Sequence, residues 1–191
     1  MKFKYEVPNI SRKQEAIEFL QEFYKYNSKI HGVGGLDRYL ENYEEWLKKL
    51  EEDYIREVSE ERVPARTYFF VRAYDNKIIG MANIRLKLNQ KLMDYGGNIG
   101  YCIRPTERGN GYNKINLYLA LKICEEYKIE TALLDADKNN SASWRTMESL
   151  GAILDKEEKS EIEGCDIVKF YSIDVKKSLE TYKHIYEPMI Q

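Results

Sequence analysis

A short loop with two glycines and an arginine is the most informative chemical feature of the sequence. Arg108-Gly109-Asn110-Gly111 follows a β-rich run that ends in Pro105, and a long amphipathic stretch begins directly after it. Strand, loop and helix in this order leave backbone N–H groups free at the positive end of the helix, where they attract anions. The guanidinium of the arginine suits phosphate oxygens. The loop therefore predicts a phosphate site, and the alternative is a plain β-to-α turn that uses glycine for positive φ.

Two carboxylates at alternate positions form the second candidate for chemistry. Asp135 and Asp137 end the predicted strand Thr131–Asp137, and alternation along a strand places both on one face. Two neighbouring carboxylates can raise the pKa of one of them toward neutral pH, which suits a general base. In the alternative interpretation, Asp137 caps the following turn and Asp135 is only a polar residue at a strand end.

The hydrophobic pattern predicts a mixed α/β sheet with helices on both faces. A strand at residues 3–7 comes first, a capping box at Ser11 and Gln14 starts a helix, and Asp37 caps a second helix with an apolar face from Leu36 to Tyr54. A polar linker follows, and then three strands, a helix, a strand, a helix and two strands. The expected strands are at 67–74, 78–88, 98–103, 131–137 and 167–175, and the expected helices are at 113–127 and up to 149. Between them we expect a linker at 57–64, a hairpin turn at 75–77, a loosening of the chain at Gly96-Gly97 and a polar turn at 157–164. The tail at 182–191 carries no prediction.

Composition excludes several classes of function. The 191 residues suit one domain, and the formal net charge of −2 argues against nonspecific nucleic-acid binding. Three widely spaced cysteines fit neither a zinc site nor a disulfide framework, and two isolated histidines predict no metal site. The N-terminal residues lack an apolar signal run, and no segment reaches the ~20 apolar residues of a membrane span. We therefore expect a cytoplasmic protein without nucleic-acid or membrane partners, as a monomer or homodimer.

The loop and its surroundings resemble motif A of the GCN5-related N-acetyltransferase (GNAT) superfamily. In this pattern an Arg or Gln is followed after two residues by a Gly, and then after one residue by a Gly or Ala; Arg108, Gly111 and Asn113 occupy these places. The strand before Asn140 and the following helix, which ends Ser149-Leu150-Gly151-Ala152, resemble the second half of the family core. The likeness covers about residues 66–175, and upstream elements resemble a bacterial subgroup of predicted acetyltransferases.

The resemblance implies a fold and a role for each part of the chain. It implies a GNAT-like, mostly antiparallel central sheet whose fourth and fifth strands splay apart to admit the pantetheine arm of acetyl-coenzyme A. Residues 1–191 would form one acyltransferase domain. In it, residues 1–65 form the acceptor side, residues 66–175 the cofactor-binding core, and residues 176–191 a tail.

The resemblance also assigns the cofactor contacts. The loop would bind the diphosphate of acetyl-coenzyme A, and backbone N–H groups of the fourth strand would polarise the thioester carbonyl. No metal is expected. The residues assigned to the cofactor are Cys102, Ile103, Arg104, Arg108, Gly109, Asn110, Gly111, Tyr112, Asn113, Asn140 and Ser143.

Catalytic roles follow less directly. Many relatives place a Glu where Asn98 stands, so that base position is empty, whereas others place a carboxylate five residues before the motif-B Asn, which assigns Asp135. Met147 replaces the Tyr that usually acts as general acid. Tyr101, Tyr112 or water remain as sources of a proton for the leaving thiolate.

The acceptor would meet the glycine-rich segment between the first two helices. The resemblance places the acceptor side there and assigns His31, Gly34, Gly35 and Tyr39 to it, whereas the alternative is a flexible connector. The expected reaction moves acetyl from acetyl-coenzyme A to a small-molecule or peptide amine by direct attack on the thioester. The rival is a non-catalytic coenzyme A-binding sensor on the same fold.

Overall fold

The computed structural model describes residues 1–160 and 165–191, which form seven β-strands and six α-helices. The strands are β1 (Phe3–Glu6), β2 (Ala65–Arg72), β3 (Lys77–Arg85), β4 (Ile99–Ile103), β5 (Thr131–Asp137), β6 (Ile153–Lys159) and β7 (Ile167–Asp174). The helices are α1 (Lys13–Lys25), α2 (Tyr43–Ile55), α3 (Gln90–Asp94), α4 (Tyr112–Glu126), α5 (Ser141–Glu148) and α6 (Val175–Tyr186). Within these described ranges, no helix is both long and apolar enough to cross a bilayer.

The strands form two antiparallel sheets. The first has the order β1-β2-β3-β4 and the second the order β5-β7-β6. The neighbouring edges are β4 and β5, which meet where Asn98, just before β4, bonds to Leu133 of β5, and which belong to separate sheets beyond that point. The expectation of a mostly antiparallel mixed α/β fold with splayed fourth and fifth strands is therefore confirmed.

Asn98 joins the two sheets at the apex of this split. Its backbone N–H donates to the Leu133 carbonyl at 2.6 Å, and its side-chain oxygen accepts the Leu133 N–H at 2.9 Å. On the other side, its amide nitrogen donates to the Arg85 carbonyl at 3.1 Å, and its carbonyl accepts the Arg85 N–H at 2.7 Å. The side chain is buried and every polar group is paired, so this residue is a structural clamp.

Gly97 allows the two sheets to approach at this point. The residue has φ +54°, and a Cβ there would overlap the carbonyl of Leu133. Arg85 donates through Nη1 to the carbonyls of Gly96 and Gly97, both at 2.8 Å. The glycine pair was expected to loosen the chain, but it is one of the most constrained places in it, because only glycine fits against the neighbouring backbone.

Two apolar clusters lie on opposite faces of the first sheet. Helix α4 covers one face, with α6 packed on α4 and β7, and Phe70, Tyr101 and Leu117 belong to the buried cluster there. Helices α1 and α2 cover the other, where Phe19 and Trp46 pack with the inward residues of β2 and β3. Helix α4 lies against β3 and β4 of the first sheet and packs on α5 and α6 with its other side, so the prediction that this helix lies against a sheet is confirmed.

The structure corrects the predicted element boundaries in the first third of the chain. Leu36–Arg38 forms a single 3₁₀ turn, and α2 begins only at Tyr43. The Asp37 cap is therefore wrong. Leu36 is buried with Trp46, so the apolar spacing that predicted one long helix arises from a loop and a helix that share a cluster.

Corrections in the second half concern short or charged segments. Strand β6 extends to Lys159, into the predicted polar turn, because its charged residues lie on an exposed edge strand; residues 161–164 of that turn lie outside the described residues. Helix α6 and the segment after it account for the tail. The chain ends beside β1, where Gln191 donates its N–H to the Phe3 carbonyl at 2.9 Å.

Replacing Gly97 by Ala should destabilise the fold through overlap with the Leu133 backbone. Gly109→Ala is the matched control, because Gly109 also has positive φ but a Cβ there meets nothing within 4 Å. Denaturant unfolding should give a loss of about 1–2 kcal/mol for Gly109→Ala from the backbone alone, and about 1–3 kcal/mol more for Gly97→Ala from the overlap. Equal losses would show that the apex tolerates a side chain.

Candidate functional site

Only alternate backbone N–H groups of β4 point into the cleft between β4 and β5. Arg104 donates its N–H to the Ile79 carbonyl at 2.8 Å, which points this group at β3. Residues two apart in a strand point the same way, so Cys102 also faces β3, and the N–H groups of Tyr101 and Ile103 face the cleft. Backbone N–H groups near Cys102, Ile103 and Arg104 were expected to meet the cofactor, and of these three the N–H of Ile103 is the one directed into the cleft.

The Arg108–Gly111 loop sits at the open end of the cleft, before α4. Gly109 and Gly111 both have positive φ, and a Cβ on either would meet nothing within 4 Å. In the described part of the chain, no protein acceptor pairs with the N–H groups of Gly109, Asn110 or Gly111, and the first N–H groups of α4 have no partner within the helix. The loop is therefore an open cradle of donors at a helix N-terminus, which fits a diphosphate.

The side chains of this loop point away from the cradle. Arg108 donates through Nε to the Ile103 carbonyl at 3.1 Å and through Nη2 to Ser28 Oγ at 2.8 Å. The Asn110 amide donates to the Glu107 carbonyl at 3.1 Å, and the Tyr112 ring packs on Phe3. The Arg108 guanidinium was expected to meet phosphate oxygens, but in the structure it connects the segment after α1 to β4.

Asn113 occupies the third motif position without blocking the cradle. Its Oδ1 accepts a hydrogen bond from the Asn116 amide at 3.4 Å, along the helix. Asn116 is fully buried and also donates to the Met81 carbonyl at 3.3 Å. The departure from Gly or Ala therefore supports the start of α4 by a side-chain hydrogen bond.

A buried network of ion pairs fixes Glu107, the residue directly before the loop. Arg72 donates through Nη1 to Glu107 Oε2 at 2.6 Å, and Lys77 donates to Glu107 Oε1 at 2.8 Å. Hydrogen bonds and charge from these two cations lower the pKa of Glu107, although burial acts in the opposite direction as the largest single effect. The carboxylate therefore stays ionised and ties the loop to the β2–β3 hairpin.

Tyr101 spans the cleft from β4 to the start of α5. Its hydroxyl lies 3.1 Å from Ser143 Oγ and 3.3 Å from the Ser143 carbonyl. Burial raises its pKa well above the usual value, with a smaller contribution from the charge of Asp135. The phenol therefore stays protonated at neutral pH and can donate a hydrogen bond.

Helix α5 begins with the Asn of the predicted second motif. Asn140 is its N-cap, and the side-chain oxygen accepts the Ser143 N–H at 3.3 Å. Met147, at the position of the usual general acid, is buried in the α4 cluster. The Asn140 side chain thus stabilises the helix start, and Ser143 is the residue of this motif that reaches the cleft.

Asp135 is held at the cleft apex by a backbone donor. Its Oδ2 accepts the Gly96 N–H at 2.7 Å. The negative charge acts on the pKa of both Arg85 and His31, opposing the burial that lowers each of them. Arg85 and His31 therefore lie within electrostatic range of Asp135, and the lowered pKa keeps the His31 ring neutral at pH 7.

Asp137 plays the role that the alternative interpretation gave it. Its Oδ1 accepts the Asn139 N–H at 2.8 Å, which caps the turn into α5. It shares the face of Asp135, as alternation predicted, but points to the far end of the strand.

The glycine-rich segment divides into two parts. Gly32 lies flat on β4, where a Cβ would overlap the backbone of Gly100 and Tyr101, and this contact brings His31 next to β4, where its backbone N–H meets the Cys102 sulfur. Gly34 lies two strands away: a Cβ there would overlap Thr67. Its carbonyl accepts hydrogen bonds from Trp46 Nε1 at 3.0 Å and Lys49 Nζ at 2.9 Å.

This geometry separates the predicted acceptor residues. His31 is near Asp135. The other three residues lie on the α1–α2 side of the first sheet: Gly34 packs on Thr67, a Cβ on Gly35 would meet only Lys49, and Tyr39 packs on the α1–α2 cluster. The segment is therefore neither a flexible connector nor an uncovered wall along its whole length.

The Cys102 thiol is packed into the α1–α2 cluster. Burial raises its pKa to about 12, with smaller opposing effects from backbone N–H groups and the Arg108 charge. It is protonated at neutral pH and buried, so it is not available as a nucleophile. Elsewhere in residues 1–160 and 165–191, no three His, Cys, Asp or Glu side chains come close enough to hold a metal ion.

Sequence reasoning missed the residues that shape the apex. Arg85 and the Gly96-Gly97 pair hold Asp135 in place, and Phe170 lies beside it on β7. The glycine pair was a visible signal that was interpreted as looseness. Arg85 and Phe170 carry no local signal, because their role depends on contacts with residues far away in sequence.

Known proteins with similar folds include acetyltransferases of different acceptors. The ribosomal-protein-S5-alanine acetyltransferase from Vibrio fischeri is 11% identical with a TM-score of 0.67, over 91% of this chain and 93% of that one. Mutant forms of the spermidine/spermine N-acetyltransferase SpeG from Vibrio cholerae are 14% identical with a TM-score of 0.65, over 94% and 98%. Mycobacterium smegmatis RimJ in complex with CoA-disulfide is 12% identical with a TM-score of 0.67, over 94% and 88%.

The sequence itself matches a family model. A comparison with curated proteins gave no match, but residues 18–152 match the Acetyltransferase (GNAT) family. This span includes the cradle, the cleft, His31 and Asp135. The chain belongs to the GNAT acetyltransferase family.

Proposed function

We propose that this chain transfers an acetyl group from acetyl-coenzyme A directly to a primary amine, with Asp135 as the proton acceptor. The observation that carries the proposal is the cleft itself. An open cradle of backbone donors lies at one end, and an oriented carboxylate beside a neutral His31 lies at the other. Two sites joined by one cleft suit a reaction between an anionic cofactor and an amine.

The cofactor would be held mainly by backbone groups. The N–H groups of Gly109, Asn110, Gly111, Tyr112 and Asn113 would bind the diphosphate, which agrees with the open space over both glycines. The cleft-facing edge of β4 would pair with the pantetheine amides as an added strand does. Residues 66–175 would thus form the cofactor-binding core, and residues 1–65 would contribute to the acceptor side.

The acetyl thioester supplies the electrophile, and the residues of the chain manage the proton and the orientation. The amine nitrogen forms a bond to the acetyl carbon while the carbon–sulfur bond breaks and coenzyme A leaves as a thiolate. Asp135 takes the amine proton, either directly or through a water. The Ile103 N–H, which is directed into the cleft, would donate to the thioester carbonyl, and the protonated Tyr101 hydroxyl would donate to the leaving sulfur in place of the Ser143 carbonyl.

A non-catalytic coenzyme A sensor is the second candidate. Asn98 is fully engaged as a clamp, and Met147 is buried, so two positions that carry catalytic groups in many relatives cannot act here. Asp135 supports the enzyme. Steady coenzyme A release that depends on an added amine separates the two candidates, because a sensor would release none.

Replacing Gly111 by Asp should weaken acetyl-coenzyme A binding, because it adds a carboxylate to the cradle. The expected loss is ~2–4 kcal/mol, or roughly 30- to 1,000-fold in Kd, from like-charge repulsion and lost hydrogen bonds. Calorimetric titration measures it. Gly151→Asp is the control, because Gly151 has similar φ but faces Tyr182 at ordinary contact distance. If both variants bind normally, the cradle is not the diphosphate site.

Replacing Asp135 by Asn should lower kcat by about 10²–10⁴-fold at neutral pH, because the amide cannot take a proton. The Gly96 hydrogen bond is retained through the amide oxygen, so the Kd of acetyl-coenzyme A should hold. The deficit should shrink as pH approaches the pKa of the amine, about 10 for an alkylamine, because the acceptor then arrives neutral.

The comparison variant for this test is Asp137→Asn. Its carboxylate caps a turn, and it should keep near-normal turnover. Loss of turnover in Asp137→Asn together with normal turnover in Asp135→Asn would reverse the two roles.

A further inference from the structure

A small cavity opens directly beside Asp135 on the face away from α4. It has a volume of about 190 Å³, and its walls include Met93, Leu133, Asp135, Lys156 and Phe170. Pockets for drug-sized ligands usually measure about 300–1,000 Å³. This cavity therefore suits a small molecule or one end of a longer one.

Strand register sets the polar and aromatic groups of the cavity in one row. Asp135 lies opposite Phe170 on β7, and Phe170 lies opposite Lys156 on β6. The Tyr95 ring meets Phe170 edge-on, with centroids 5.3 Å apart, so the ring orientation is fixed. The row therefore runs from the Asp135 carboxylate, across the aromatic face of Phe170, to the Lys156 ammonium.

Lys156 already uses this aromatic face. Its Nζ lies 4.7 Å from the centroid of Phe170, within cation–π range. The same Nζ forms an ion pair with Glu158 at 3.0 Å, and about half of the side chain is exposed. An exposed ion pair of this kind is held weakly, so a competing ammonium can displace Lys156 at little cost.

The remaining charges of the cavity repel anions. Asp155 also lines it and accepts a hydrogen bond from Ser172 Oγ at 2.9 Å. Among the described residues, Asp135 and Asp155 are thus the two carboxylates of the walls, and Lys156, the one cation of the walls, is paired with Glu158. The Arg85 guanidinium, which lies behind the wall, is engaged by the carbonyls of Gly96 and Gly97. A ligand with a carboxylate beside its amine would meet unfavourable charge here, whereas a simple ammonium would be attracted.

We infer that the acceptor is a small primary amine with an apolar or aromatic stem and no neighbouring carboxylate, bound across Phe170 with its nitrogen at Asp135. Lys156 acts as an internal competitor that the acceptor displaces from the ring. This inference rests on the proposed acetyl transfer and defines the substrate class for the same site.

The test compares two amines that differ only in a carboxylate. Phenethylamine and phenylalanine share the same stem, and acetyl transfer to each is followed by thiol release with acetyl-coenzyme A. The wild-type protein should favour phenethylamine by about tenfold or more in kcat/KM, because Asp135 and Asp155 repel the carboxylate of phenylalanine. Hexylamine should behave like phenethylamine.

Two variants test the aromatic row. Phe170→Leu should raise the KM for phenethylamine by about three- to tenfold with a smaller change in kcat, because it removes binding that is uniform along the reaction. Lys156→Met should lower that KM by about two- to fivefold, because the competing ammonium is gone. Lys159→Met, on the same strand but outside the cavity walls, is the control and should change neither value.

The outcomes separate this inference from the proposed function. Acetylation of phenylalanine as efficiently as phenethylamine, or an unchanged KM in both Phe170→Leu and Lys156→Met, would overturn the inference and leave acetyl transfer standing. If acetyl-coenzyme A binds but no amine of any kind stimulates thiol release, both are overturned. Thermal unfolding of Lys156→Met and Phe170→Leu identifies any loss that comes from folding, and Lys156→Met decides the matter if Phe170→Leu is unstable.

Discussion

The hydrogen bonds of Asn98 to both sheets are the interaction on which the shape of the cleft depends. Two antiparallel sheets would otherwise either continue as one sheet, which leaves no room between β4 and β5, or separate altogether. Asn98 pairs with Leu133 on one side and Arg85 on the other, so the sheets are fixed at one point and free beyond it. Because a carboxylate cannot donate to the Arg85 carbonyl, this clamp and a base at the same position exclude each other.

The loss of that base position gives Asp135 its importance. The carboxylate sits one strand away from the clamp, and the Gly96 N–H that orients it belongs to the same turn that Arg85 braces. The clamp, the turn and the carboxylate thus form one rigid unit. In the proposed reaction, a base held by such a unit would lose little freedom when the acceptor binds, which is the condition for effective positioning.

Local signals predicted the parts of the site that local chemistry defines. Glycines at Gly109 and Gly111 before an amphipathic helix were sufficient to place the cradle, and alternation placed Asp135 and Asp137 on one face. What the sequence could not predict was which partner each side chain would choose. Asn98 was interpreted as an empty position because Leu133 lies 35 residues away, and Gly34 was assigned to the acceptor because nothing nearby in sequence indicates Trp46 and Lys49 on its carbonyl.

The separation of the apolar core into two clusters has a consequence for evolution. The first sheet lies between them, with α1 and α2 on one side and α4 and α6 on the other. Substitutions in packed groups that share no contacts have nearly independent effects on stability. Helix α2 packs on β2, away from the cradle loop, so its residues can change with few compensating changes beneath the cradle. Chains that are only 11% or 14% identical can in this way keep a common fold while the residues on one face of the first sheet diverge.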